Sequence, residues 1–205
     1  MHLSSRRISW SLLALATFLL PSLAEAHTGT GIHTHGFING LAHPLLGLDH
    51  ICAMLAVGLW AVQQAKAKGN ENAKMLWLLP LTFVSVMALG GALGMRGMVL
   101  PFAEEGVLLS VLVLGVLVAA AIRLPLAASV LVVGTFALFH GHAHGAEMPQ
   151  DASGLTYGLG FLVATAFLHG SGIALAAAVT RQGHERLVRL AGAAIVLCGL
   201  GFWLA

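Results

Sequence analysis

Charge is what this 205-residue chain has least of, since Asp, Glu, Lys and Arg make up only 9% of it, against about 25% in an ordinary soluble domain. So few ionised groups cannot cover the surface of a 21.2 kDa globule. The 58% hydrophobic content and mean hydropathy of +0.90 instead suit a chain dissolved among lipid tails, and a soluble fold is nearly excluded. Cysteine is scarce too: Cys52 and Cys198 both fall in apolar runs, where each reads as a small buried hydrophobe rather than half of a disulfide or a metal pair. The formal net charge is only +2, with Lys and Arg scattered, which sets aside a nucleic-acid partner. No G-x-x-x-x-G-K-[ST] loop occurs, so ATP hydrolysis by this chain is not expected and no ATPase subunit is implied. Histidine runs the other way. Its 11 residues outnumber the 8 acidic ones, a surplus that points to metal or proton chemistry.

The N-terminal residues 1–26 read as an address. Arg6 and Arg7 precede an apolar stretch from Trp10 to Leu20, followed by Pro21 and the small-x-small sequence Ala24-Glu25-Ala26. That stretch is about half the ~20 residues needed to cross a bilayer, so it predicts a cleaved secretory signal, with His27 left first. A polar segment over 27–42 then forms a His-containing periplasmic leader with His27, His33 and His35, a short tract suited to weak metal capture.

Apolar runs follow at about 44–63, 75–95, 107–122, 125–144, 155–179 and 188–204. They predict an all-α integral membrane protein whose transport domain, 43–205, has six spanning helices. With the N-terminus outside, Lys66, Lys68, Lys74, Arg123, Arg181, Arg186 and Arg189 fall inside and only Arg96 outside, as the positive-inside rule requires. Both termini are then periplasmic, in a multi-pass protein of a bacterial inner membrane. Gly90 with Gly94, and Gly154 with Gly158, have the four-residue spacing that lets helix backbones approach.

Ionisable groups inside such helices need a partner or a function. The first cluster is His43-Pro44-Leu-Leu-Gly47-Leu-Asp49-His50. Pro44 suits the first turn of a helix, with His43 at the cap. His43, His50 and then Met54 share one face, with Asp49 flanking His50. The second cluster is Phe139-His140-Gly141-His142-Ala143-His144-Gly145-Ala146-Glu147, in which His140, His144 and Glu147 share a face while His142 points away. One helix starts and the other ends at the same membrane surface, so the clusters are free to meet. His169 lies deeper, as the next station inward or a packing residue. Gly141 and Gly145 would permit close backbone approach or a local break in their helix, and Gly170 and Gly172 are candidates for a further helix break. Imidazole with carboxylate suits Ni, Zn, Co or Cu, and the lack of thiolate pairs argues against a site dedicated to Cu(I).

The HPLLGLDH run from His43 to His50, followed by Met54, together with FHGHAHGAE from Phe139 to Glu147, resembles the HupE/UreJ family of bacterial nickel and cobalt permeases. The family's H-x5-D-H element falls on His43, Asp49 and His50, and its F-H-G-x-A-x-G-x-E element on Phe139, His140, Gly141, Ala143, Gly145 and Glu147. His142 and His144 occupy variable positions of that element, so any ligand role for them rests on their chemistry. The resemblance implies uptake of Ni²⁺, with Co²⁺ as an alternative, to supply metalloenzymes such as hydrogenase or urease. The metal is cargo and no fixed cofactor is expected.

On this reading the chain is a transporter rather than an enzyme, with a divalent ion and the bilayer as its partners. Its site would comprise His43, Asp49, His50, His140, His144 and Glu147. One alternative is an intramembrane zinc hydrolase, in which three histidines and an aspartate near Ser171 hold Zn²⁺ with an open water position. Another is a membrane metal sensor or chaperone.

Overall fold

A computed structural model describes residues 35–66, 74–148 and 153–204. The expected signal, His27 and His33 lie outside the described residues, as does the side chain of His35. Among the described residues the fold is all helical: α1 His35–Leu46, α2 Leu48–Ala65, α3 Met75–Met95, α4 Ala103–Ala119, α5 Leu126–Ala146, α6 Gly154–Arg181 and α7 Glu185–Leu204.

Helices α3, α5, α6 and α7 are each long and apolar enough to cross a membrane, and α1 with α2 makes a fifth candidate, bent by 79°. The expected sixth span is not among these candidates. Its run at 107–122 yields α4, whose 17 residues reach about 25 Å at 1.5 Å per residue, at the short end of the ~17–25 residues of a spanning helix. The chain leaves the helix at Ala120 and turns through Ala121, whose φ is 53°.

The first expected helix, 44–63, also differs. Helix begins at His35, inside the segment read as a polar leader, and breaks at Gly47, which is extended at φ −87° and ψ 115°. Pro44 therefore lies near the end of α1 rather than in the first turn of a helix. Lacking an N–H, it weakens that last turn.

Helix α2 is the axis of the bundle. From Ala53 to Val62 every residue but Leu55 is buried, and the helix touches α3, α4, α6 and α7, as expected of a helix that is apolar all round. The outer helices instead expose large apolar side chains, such as Trp77, Leu131, Phe167 and Leu197, which is how a surface solvated by lipid looks.

The anticipated helix breaks at Gly141, Gly145, Gly170 and Gly172 do not occur, because α5 and α6 run through them without interruption. In α5 the glycines permit close approach, the other of the two readings open to Gly141 and Gly145. A β-carbon on Gly141 would strike the Met87 carbonyl and one on Gly145 the Gly91 carbonyl, while Gly90 and Gly94 meet α5 in the same way. The result is the most extensive helix pair in the molecule, α3 against α5. Gly172 packs on Gly58 of α2, whereas Gly158 and Gly170 face open space.

Candidate metal centre

The break at Gly47 places the first cluster. Asp49 and His50 fold back over it, so a β-carbon there would lie 2.8 Å from Asp49 Oδ1 and 3.2 Å from His50 Nδ1. Only glycine leaves that space. The 79° bend turns His43, at the end of α1, toward His50, at the start of α2, with ring centroids 6.5 Å apart. The last two turns of α5 bring His140, His144 and Glu147 against them.

Three buried imidazoles converge at the centre. His50, His140 and His144 each offer a ligand atom within 4.8 Å of the others, and the three residues are 2%, 0% and 8% exposed. A mouth group of His43, His144 and Glu147 meets the same distance limit and is more open, with His43 and Glu147 side chains 38% and 53% exposed. His144 belongs to both groups. All six residues expected at the site are thus brought together.

Their hydrogen bonds decide which nitrogens are free. Asp49 Oδ1 lies 3.2 Å from His50 Nδ1, and an ionised carboxylate only accepts, so Nδ1 donates and Nε2 keeps its lone pair. Ser110 of α4 donates to the Val107 carbonyl at 2.6 Å. Its oxygen therefore accepts from His140 Nε2 at 2.8 Å, which leaves the lone pair on Nδ1. These two bare nitrogens, His140 Nδ1 and His50 Nε2, face each other at 3.2 Å with no proton between them. His144 Nδ1 lies 3.0 Å from His43 Nε2 and 3.2 Å from Glu147 Oε2; the ionised carboxylate only accepts, so Nδ1 carries the proton, and His144 Nε2 is buried without a partner. Three lone pairs are thereby held in a dry pocket by groups behind each ring, an arrangement that attracts a cation.

Glu147, just past the end of α5, has its carboxyl held below the usual carboxylate range, first by the hydrogen bond from His144. Asp49 and Glu147 together supply two negative charges behind the imidazoles, enough to balance a divalent ion in low dielectric. Behind His144 the ring of Phe161 stacks at 5.1 Å, and Tyr157 lies 6.1 Å from His43, which closes the pocket with aromatic surface.

Other candidates fall outside. His142 faces away as expected and donates from Nε2 to the Met98 carbonyl at 2.5 Å, which pins the turn after α3. Met54 is fully buried in the apolar core around α2. Ser171 returns its hydroxyl to the Phe167 carbonyl of its own helix. His169 stands apart, buried against Phe83 with ring centroids 5.1 Å apart.

Sequence reasoning missed Ser110 and Gly47. Ser110 is the lone polar residue in its apolar run at 107–122, which was the available signal. Gly47 lies between the two motif histidines, where an α-helix was assumed to continue.

The fold and this cluster define a multi-pass helical membrane protein with a buried imidazole and carboxylate site at one end of its bundle. The chain belongs to the HupE/UreJ family: the family model described as HupE / UreJ protein matches residues 15–202. It is 44% identical over 185 residues to Protein HupE of Rhizobium leguminosarum bv. viciae, an alignment that covers 90% of this chain and 92% of that protein. No solved structure matches it.

Proposed function

We propose that the protein is a permease that moves Ni²⁺, with Co²⁺ as a second substrate, across the bacterial inner membrane into the cytoplasm. The observation that carries this is the convergence of bare nitrogens from His50, His140 and His144, each ring held by an acceptor on its far side. Neutral imidazoles backed by carboxylates bind borderline divalent ions firmly enough to replace water, yet release them more readily than a thiolate cage would.

The ion first meets the mouth group of His43, His144 and Glu147, where the side chains are partly exposed. It then passes to the inner triad, which shares His144 with the mouth group. Lys66, Arg123 and Arg189 gather at the other end of the bundle. By the positive-inside rule that end is cytoplasmic, which makes the histidine mouth periplasmic and the direction inward.

The test is ⁶³Ni²⁺ accumulation in cells that lack their own nickel importers, comparing the protein with Asp49→Ala at matched membrane levels. Removing the acceptor behind His50 should lower accumulation by roughly 10–100-fold. Equal accumulation by both proteins would take Asp49 off the path, and no accumulation by the intact protein would end the nickel assignment.

A further inference from the structure

Below the inner triad His169 is 1% exposed, and neither of its ring nitrogens has a hydrogen-bond partner. A neutral imidazole carries one N–H and one lone pair. Burying both bare forfeits hydrogen bonds that an apolar residue of similar size would never have needed, so packing alone is a poor reason for histidine here.

The placement of the ring suggests what it serves. Side chains on a helix lean toward its N-terminus, and α5 and α6 run in opposite directions through the bundle. His140 therefore leans away from the mouth and His169 leans toward it. Both meet the fully buried ring of Phe83, His140 with centroids 5.6 Å apart and His169 at 5.1 Å. One turn nearer the mouth on the same face of α6 is Thr165, also fully buried, with its hydroxyl 3.8 Å from the Met87 sulfur. On the far side a β-carbon on Gly58 would strike the His169 carbonyl, and one on Gly172 would lie 3.1 Å from the Gly58 Cα. The backbones of α2 and α6 thus pack directly against each other beside His169.

We infer that His169 is a second, transient binding station for the divalent cation, reached from His140 past Phe83, with the Thr165 hydroxyl and the Met87 thioether as neighbouring donors. This rests on the permease reading above. Every donor here is uncharged, whereas two of the three inner-triad imidazoles are backed by carboxylates. The ion is accordingly held more weakly at His169 than at the triad, the order that onward release requires.

The experiment uses the full chain, purified for equilibrium ⁶³Ni²⁺ binding and reconstituted into liposomes containing a Ni²⁺-sensitive fluorescent chelator. His169→Gln keeps a hydrogen-bonding side chain but loses the imidazole. It should bind Ni²⁺ at the triad with wild-type affinity while uptake falls about tenfold or more, the effect of losing one good contact on the path. His169→Cys, which restores a ligating atom, should recover uptake above the level of His169→Gln and shift preference from Ni²⁺ toward Cd²⁺, a change that a packing residue would not produce. Wild-type uptake by His169→Gln, loss of triad binding in that variant, or no recovery and no preference shift in His169→Cys would each overturn the second station alone. A wild-type protein that binds Ni²⁺ but moves none would overturn the permease reading, and the station with it.

Discussion

Removal of the Ser110 hydroxyl should weaken metal binding although Ser110 is not itself a ligand. In the intact protein the Ser110 proton goes to the Val107 carbonyl, and its oxygen accepts from His140 Nε2 at 2.8 Å. Ser110→Ala leaves that N–H without an acceptor in a pocket where both residues are 0% exposed. The metal-free variant relieves this by moving the proton to His140 Nδ1, which then donates across the 3.2 Å gap to His50 Nε2. That bond fills the position of the cation. To bind, Ni²⁺ must displace the proton and restore the orphaned N–H, whose burial costs about 1–3 kcal/mol, equivalent to roughly 5–150-fold in affinity. The assay is equilibrium ⁶³Ni²⁺ binding to the purified protein, with thermal unfolding as a control for folding. A folded Ser110→Ala variant that binds within about twofold of wild type would refute the assignment of protons at the site.

The other predictions concern the mouth, the pH response and the helix seam. Glu147→Gln keeps an oxygen to accept from His144 Nδ1 and should lose less uptake than Glu147→Ala, which removes that acceptor; equal losses in ⁶³Ni²⁺ uptake would mean that charge alone matters there. Uptake should decline as external pH falls, because protons compete with the metal for the imidazole lone pairs. Glu147, held below its usual range by His144, stays ionised down to at least the ordinary carboxylate value of ~4.3, so a decline above that pH belongs to the histidines; a rate that stays flat down to it would count against them. Gly141→Ala forces a β-carbon onto the Met87 carbonyl and should destabilise the α3–α5 pair by about 1–3 kcal/mol. Thermal unfolding in detergent would show this as a lowered Tm, and an unchanged Tm would mean that the seam is looser than described.

Some of this was legible in the sequence and some was not. Helical periodicity put His140, His144 and Glu147 on one face, and shared membrane depth allowed the two motifs to meet. Those inferences need only the 3.6-residue repeat and the thickness of a bilayer. His43 reaches the cluster by a different route from the straight helix that the sequence suggests from 44 onward, because Pro44 and Gly47 end one helix and start another at 79°. For the glycines of α5 the sequence leaves a helix break and a close backbone approach both open, since glycine lowers helix propensity locally; across the helix pair the lack of a β-carbon lets two backbones touch, and that contact holds α5 helical.

By itself the sequence determined the medium, the helical class, the two signatures and the residues that gather at the site. Hydropathy and ligand chemistry are properties of residues and their near neighbours along the chain. Only the tertiary structure decided which nitrogens are free. The proton positions on His50, His140 and His144 follow from Asp49, Ser110 and Glu147. Asp49 and Glu147 lie beside their partners in sequence, but Ser110 reaches His140 from 30 residues away. The isolation of His169 beneath Phe83 was likewise invisible, because a buried donor without a partner is defined by everything that fails to come near it, and that depends on how all the helices pack.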